Sequence, residues 1–285
     1  MKFLFLLSLA FTCLNAFAVR PEKFYNPIIK ICPLYELGIG VFHTTFPHYP
    51  GAESNRKLTI PFPSAIYRGD ILRAKKDEGI RGRFLKSEHF ELDVSFDGTF
   101  QSSEKHNEAR KGMPDLDTVI EFGPKLTWHV LKPKKFSPFS IDMNFAIRYI
   151  FSSDIQNWND RGLAFNPFLS FKYEDLFKDE SLLMFSINAK FATQKLHHYY
   201  YGVDKIHETN TRPVWHAKSG YMETSTSFAT FWPIKWDIWI FGGIIQAFYN
   251  NAKNKNSPLH ARDETTSIIV GFYWNFLKSK ILVID

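Results

Sequence analysis

The sequence predicts an all-β fold, a transmembrane antiparallel up-and-down β-barrel of about twelve strands that follows a cleaved signal peptide. Three observations predict it. The chain opens on an export signal, aromatic residues are abundant without long apolar runs, and polar and apolar residues alternate over long segments.

Residues 1–21 read MKFLFLLSLAFTCLNAFAVRP. Lys2, the apolar run Phe3–Leu14 and the ending Ala16-Phe17-Ala18 supply the parts of a secretory signal, with cleavage expected after Ala18. The run is short for a membrane anchor, and Asn15 interrupts it. Phe11 and Thr12 are poor neighbours for a lipidated Cys13. Past the signal only Cys32 remains, which excludes an internal disulfide. The formal charge of +6 is spread along the chain with no basic block, so nothing supports a nucleic-acid partner.

Phe, Tyr and Trp number 29, 12 and 7, or 17% of the residues, yet mean hydropathy is only −0.22. A soluble core that aromatic would carry longer apolar runs. Beyond the signal no stretch approaches the roughly 20 apolar residues of a membrane helix. Export, aromatics and short runs together describe a barrel set in lipid.

Alternation locates the strands, because successive side chains of a strand point to opposite faces. In Phe139–Phe151 the odd positions are Phe139, Ile141, Met143, Phe145, Ile147, Tyr149 and Phe151, against Ser140, Asp142, Asn144 and Arg148. In Thr118–Leu131 one face runs Ile120, Phe122, Pro124, Leu126, Trp128, Val130, and the other includes Glu121, Lys125, Thr127 and His129. Leu163, Phe165, Leu169, Phe171 and Tyr173 oppose Asn166, Ser170 and Lys172; Ile268, Val270, Phe272, Trp274 and Phe276 oppose Ser267, Gly271, Tyr273 and Asn275. Less regular segments are Leu34–Phe42, Ser64–Ala74, Arg81–Lys86, Phe90–Gln101, Leu182–Leu196, Trp215–Phe228 and Lys235–Tyr249. A soluble β-sandwich also alternates. Aromatics at strand ends and full charges in mid-strand favour the membrane barrel, with its interfacial girdles and wet lumen.

From Phe90 onward the connections alternate long and short, as outer loops and periplasmic turns do. One extra strand over Lys57–Phe62, with Phe62-Pro63-Ser64 as a periplasmic turn, restores the alternation upstream and brings the count to about twelve. The domains are then a signal peptide 1–18, an N-terminal periplasmic segment 19–33, the barrel 34–276 and a tail 277–285. The 102–117 loop would face outward.

The polar connections FPHYPGAESNR (46–56), AIYRGDILRA (65–74), NEARKGMPDLDTVIEFGPKL (107–126), YYYGVDKIHETNTRPVWHAKSGY (199–221) and NAKNKNSPLH (251–260) come in one order. With them the chain resembles the MipA/OmpV family of Gram-negative outer-membrane proteins, also called MltA-interacting proteins, over Leu34 to Phe276. The resemblance implies an outer-membrane barrel in contact with lipid, without an assigned catalytic centre, cofactor or metal. It implies a scaffold role between a lytic murein transglycosylase and a penicillin-binding protein during wall synthesis; other members look like porin-type or adhesion-related surface proteins. The residues expected to form its interaction loops are Tyr49, Pro50, Gly51, Tyr67, Arg68, Gly69, Asp70, Arg110, Gly112, Met113, Pro114, Asp115 and Asp117. Tyr201, Gly202, Arg212, Gly220, Tyr221, Ser257, Pro258 and Leu259 complete them. The tail LKSKILVID departs from the pattern, since such barrels end on the aromatic of the last strand.

Several of these groups admit two readings. Asp115 and Asp117 with Glu108 could hold a hard cation, but Leu116 lies between them and the ligand set is incomplete. A turn at Pro114-Asp115, with Asp117 receiving backbone amides and Arg110 pairing with a carboxylate, fits better. His197-His198 could suggest a metal; read as strand residues they point apart, and with Tyr199, Tyr200 and Tyr201 they suit an aromatic belt reaching a loop. Arg68 and Asp70 share a face as a lumen ion pair or a pore-lining element. A lipid hydrolase would need nucleophile and base together, and no motif joins His129, Ser140 and Ser170.

Overall fold

The computed structural model describes residues 31–75, 79–100, 107–133, 137–154, 156–176 and 178–284. The signal peptide, Cys13 and most of the segment 19–33 lie outside these residues. Among them, twelve strands close one antiparallel barrel. They are β2 (Tyr35–Pro47), β3 (Asn55–Arg68), β4 (Leu72–Lys75), β5 (Gly79–Lys86), β6 (Phe90–Thr99), β7 (Thr118–Leu131), β8 (Phe139–Ser153), β9 (Trp158–Glu174), β10 (Leu182–Ala192), β11 (Gly220–Pro233), β12 (Ile238–Phe248) and β13 (Glu264–Lys278). β13 pairs back onto β2, with Gly271 opposite Phe42. Outside the barrel, β1 (Ile31–Pro33) pairs with β14 (Leu282–Ile284), and α1 (Gln194–Tyr201) follows β10.

The pleat sorts side chains as the alternation required. Ile147, Phe165, Ile187, Ile244, Val270 and Phe272 are exposed on the outer surface. Aromatic rings stack across neighbouring strands there. Phe96, Phe122 and Phe151 form one run at 6.2 and 5.9 Å, and Phe139, Phe171 and Phe185 another at 6.2 and 5.9 Å. A barrel that closes its strands on one another and turns an apolar exterior outward suits hydrocarbon, so the chain is an outer-membrane β-barrel.

Both described chain ends, β1 and β14, and the short turns at 69–71, 87–89 and 234–237 lie at one end of the barrel, the terminal end. The connections 48–54, 107–117, 193–219 and 249–263 gather at the other, the cap end.

The strand count agrees with the sequence reading, but the division that produced it is corrected. Phe62-Pro63-Ser64 is no turn: β3 runs through it and pairs with β2 from Asn55↔Pro47 to Tyr67↔Tyr35 without a shift. Proline is tolerated because Arg68 donates its amide to Leu34 on the β2 side at 2.8 Å, so even residues of β3 serve that ladder. The nitrogens of Pro61 and Pro63 point away from it and remove no β2 bond. The turn falls at Gly69–Ile71, and the twelfth strand comes from the short hairpin β4–β5. The segment 182–196 is also shortened, since the strand ends at Ala192 and 194–201 is helical. The tail 277–285 does not trail: β13 continues to Lys278, and β14 folds onto β1.

The lumen has two unlike walls. On β5–β10 the inner face carries charge in pairs, buried in Arg81–Glu91 at 2.5 Å, Lys125–Asp93 at 3.4 Å and Lys190–Glu121 at 2.5 Å, while Arg148 meets the exposed Asp97 at 2.9 Å. Thr127, Asn144 and Ser170 are buried beside them, linked at 2.8 and 3.4 Å. On β2, β3 and β12 the inner face carries an apolar strip, Phe42, Leu58, Ile60, Phe62 and Phe241, among buried polar residues such as Glu36, Thr44 and Ser64. Phe62 meets Phe241 at 6.3 Å although two strands separate theirs, a contact possible only across the inside. Glycine makes room for these rings, since a Cβ on Gly40 would lie 2.6 Å from Phe62, and one on Gly271 would lie 2.6 Å from Phe241.

Candidate functional site

The sequence-predicted residues separate into two places. Tyr67, Arg68, Gly69 and Asp70 sit at the terminal end. There Arg68 meets Glu36 at 2.7 Å and the Pro33 carbonyl at 2.7 Å. Arg68 closes a lumen ion pair across strands, as expected in kind, but onto β2; Asp70 belongs to the turn. The others come together at the cap end, where the loops fold over the barrel mouth and lock into one another.

Arg110 is the tie at the centre. It is 5% exposed, ends a short 3-10 turn, and donates to the carbonyls of Tyr200 at 3.3 Å and Pro114 at 3.3 Å. Its guanidinium also lies 5.8 Å from the Tyr49 ring. Gly112, at φ +75°, supplies the left-handed residue that lets the chain reverse. Met113 is then buried against Val203 and Leu259. Tyr49 donates its hydroxyl to the Leu259 carbonyl at 2.5 Å. Gly51, at φ +78° beside Pro50, accepts the amides of Ala261 and Arg262, and the His260 ring occupies the place of its absent side chain.

A second set of bonds ties the later loops to the earlier ones. Arg212 donates to the carbonyls of Ala109, Lys111 and His207, each at 3.0 Å. Ser257, before Pro258, donates to the Tyr201 carbonyl at 2.7 Å. Gly202 caps α1 with its amide on the His198 carbonyl at 2.8 Å. Gly220 gives its carbonyl to His197 Nε2 at 3.0 Å, and the Tyr221 ring stands 5.6 Å from Phe191 on the outer surface. Asp115 is exposed, whereas Asp117 accepts from Ser152 at 3.1 Å and faces Arg161 at 3.8 Å.

The histidine–tyrosine run corrects the strand reading. It forms α1, with Leu196, His197, Tyr200 and Tyr201 buried in the cap core beside Leu116, Val119 and Met222, so it is no interfacial belt. His198 turns to Asp204 at 3.3 Å, and Tyr199 takes the Arg161 guanidinium over its ring at 3.9 Å. Burial sets the titration of this layer. It raises the Tyr49 hydroxyl, which Arg110 partly offsets, and lowers the Arg110 guanidinium. It also holds His197 and His260 below the ordinary histidine value.

Sequence reasoning did not single out Asn254, although it lies in a quoted loop. It is 1% exposed and brackets Lys218, accepting from its amide at 2.9 Å and donating to its carbonyl at 2.8 Å. An asparagine beside glycine-free, lysine-rich loop sequence reads as solvated, and only the long-range pairing reveals it. In the lumen, His129, Asp142 and Ser170 do fall in one cross-strand row. His129 binds the Asp142 carboxylate at 2.7 Å and Ser170 donates to the Asp142 carbonyl at 3.4 Å. Asp142 therefore stands between base and hydroxyl, the wrong order for a hydrolytic triad. Ser140 registers against Lys172.

The family model described as MltA-interacting protein MipA matches residues 37–276, most of the chain, and the protein belongs to that family. No curated protein is similar enough to match. Among solved structures, the chain is similar to an outer-membrane channel from Pseudomonas putida F1 at 8% identity and TM-score 0.44, covering 90% of this chain and 99% of that one. The NanC porin follows at 10% identity and TM-score 0.36, covering 85% and 98%. The outer-membrane phospholipase A of Escherichia coli stands at 8% identity and TM-score 0.32, covering 90% and 99%.

Proposed function

We propose that this member of the family is a docking platform in the outer membrane for enzymes that remodel the cell wall. A lytic murein transglycosylase is the partner the family description points to, and a penicillin-binding protein is the second. In the usual barrel orientation the short turns are periplasmic and the long loops external, which turns the cap outward and the terminal end toward the wall.

One observation carries the reading. At the terminal end Ile31, Leu282 and Ile284 share one face of the β1–β14 sheet, and they are 65%, 60% and 67% exposed. An apolar face held just beyond the barrel wall suits a protein partner in the periplasm. The interlocked cap supports the same reading, since a mouth filled by its own loops is a poor open pore. A narrow channel is the second reading, favoured by the half of the lumen that paired side chains do not fill.

Crosslinking in intact cells, followed by purification of the chain, tests the platform. Recovery of a murein transglycosylase that is lost in Leu282→Asp/Ile284→Asp supports it. Equal recovery with that variant, or none from the natural chain together with steady conductance in planar bilayers, replaces it with the channel.

A further inference from the structure

The barrel wall is not equally tall all round. β3 has fourteen residues, but β4 has four and β5 eight. β3 pairs with β4 only at Tyr67↔Ala74 and Arg68↔Arg73, and β5 reaches β6 only up to Arg81↔Ser95. Among the described residues, Asn55–Ile66 therefore has a partner on the β2 side alone, and Phe96–Thr99 of β6 on the β7 side alone. Across the upper part of this gap Arg56 donates to the Phe100 carbonyl at 3.5 Å, and Phe100 stands 6.5 Å from Phe46. What remains below, among the described residues, is an opening in the side of the barrel, with strands β4 and β5 as its sill.

The sequence of β3 is built for such an edge. Pro61 and Pro63 remove two of the donors that would face the gap, so the strand does not invite another strand to add there. Its outer face carries Lys57, Thr59, Pro61, Pro63 and Ala65, and the apolar residues Leu58, Ile60 and Phe62 point inward. This reverses the usual lipid-out pattern of a membrane strand. The inward residues continue the apolar wall of Phe42, Phe62 and Phe241 and remain half-exposed, unlike the buried charge pairs opposite. At the cap end of this strip Arg56 lies 4.9 Å over the Phe46 ring, and among the described residues no carboxylate pairs with it.

We propose that the gap between β3 and β6 is a lateral portal for a single-chain amphiphile with an anionic head, of the fatty-acid class. The chain passes from the membrane to the apolar side of the lumen, with its head at Arg56 and its tail along Leu58, Ile60 and Phe62. An opening to lipid, a lining that water wets poorly and, at one end, a cation with no carboxylate partner among the described residues match the two halves of such a molecule. The charge pairs on the far wall stay closed on themselves, so the molecule follows one side of the lumen.

The full folded chain in bilayers tests this with a fatty acid that carries a photoactivatable diazirine in mid-chain. Adducts read by mass spectrometry are expected on Ile60, Phe62 and Phe42 as well as on outward residues such as Ile39, and excess oleate should suppress only the inward set. Phe62→Asp and Arg56→Glu should each lower inward labelling roughly tenfold, about 1.4 kcal/mol, with Ile39 unchanged. Phe62→Leu should retain labelling, and folding of each variant is checked by heat-modifiable gel migration. Adducts confined to outward positions overturn the portal. Inward adducts that ignore oleate, or that persist in folded Phe62→Asp or Arg56→Glu, overturn it equally.

Discussion

The two walls of the lumen are made by the same alternation and behave oppositely. On the β5–β10 side each buried charge finds a partner, and Asp93, fully enclosed, serves both Arg81 at 3.4 Å and Lys125 at 3.4 Å. On the β2–β3 and β12 side the inward strip of Phe42, Leu58, Ile60, Phe62 and Phe241 needs no partner and leaves its surface half-open. The charged wall is self-sealing because an unpaired buried charge is costly. The apolar wall can stay vacant because nothing on it must be satisfied. The difference separates the part of the lumen that holds the barrel together from the part left available.

The hardest test of that contrast is to break one partner on each side. Asp93→Ala leaves Lys125 buried without a counter-ion, beside an Arg81 that keeps only Glu91, and should cost about 3–5 kcal/mol. Ile60→Val on the open wall removes one methylene that is only half-packed and should cost about 0.5–1.5 kcal/mol. Denaturant unfolding in micelles, followed by tryptophan fluorescence, measures both. Equal losses would show that the apolar wall is packed after all.

The cap offers a similar contrast with the barrel beneath it. Leu259→Ala removes a fully buried side chain from the cluster with Met113 and Val203, and should loosen the cap by about 2–5 kcal/mol. Because the ladder does not depend on Leu259, proteolysis should speed up in 107–117 and 199–219 while the strands stay resistant. Cleavage that spreads into the strands would mean that cap and barrel unfold as one unit.

Acid should act on the same boundary. Burial lowers the folded pKa of His197 and His260, so the fold disfavours their charged forms. Stability from the neutral rings is complete above the unfolded value of about 6.5 and is lost as pH falls through the lower folded values. Loop proteolysis is expected to accelerate at pH 5 relative to pH 7.5. The double variant His197→Gln/His260→Gln should flatten that dependence, and an unchanged slope would place the acid sensitivity elsewhere.

Much of this was legible beforehand, for identifiable reasons. Phe139–Phe151 announces its faces because a membrane barrel must alternate, and the charges of Glu121, Lys125 and Arg148 mark the lumen. What alternation supplies is a period, not a sign, so the inverted polarity of β3 could not be read from Leu58, Ile60 and Phe62. The helix α1 escaped because Leu-His-His-Tyr-Tyr-Tyr is no better a helix than a strand by propensity, and tertiary burial of His197, Tyr200 and Tyr201 decides. The cap's motif residues were visible as a set, but their bonds were not. Arg110 and Arg212 spend their guanidiniums on carbonyls up to 103 residues away.

The smallest expected effect bears on the misread prolines. Pro63 looked like a turn because proline usually interrupts strands. On β3 its missing donor faces the gap, so its cost to the β2 ladder is nil. Pro61→Val/Pro63→Val should therefore leave the barrel within roughly 0.5 kcal/mol of its natural stability, as a surface change away from packed or paired groups does. The consequence should appear in association. Two restored amides turn the Asn55–Ile66 edge into an addition site, and chemical crosslinking in bilayers should reveal more dimer than the natural chain gives. If the double variant stays monomeric while losing several kcal/mol, the prolines were shaping the strand itself. The asymmetry between the low wall and the rest of the barrel would then need a cause other than edge protection.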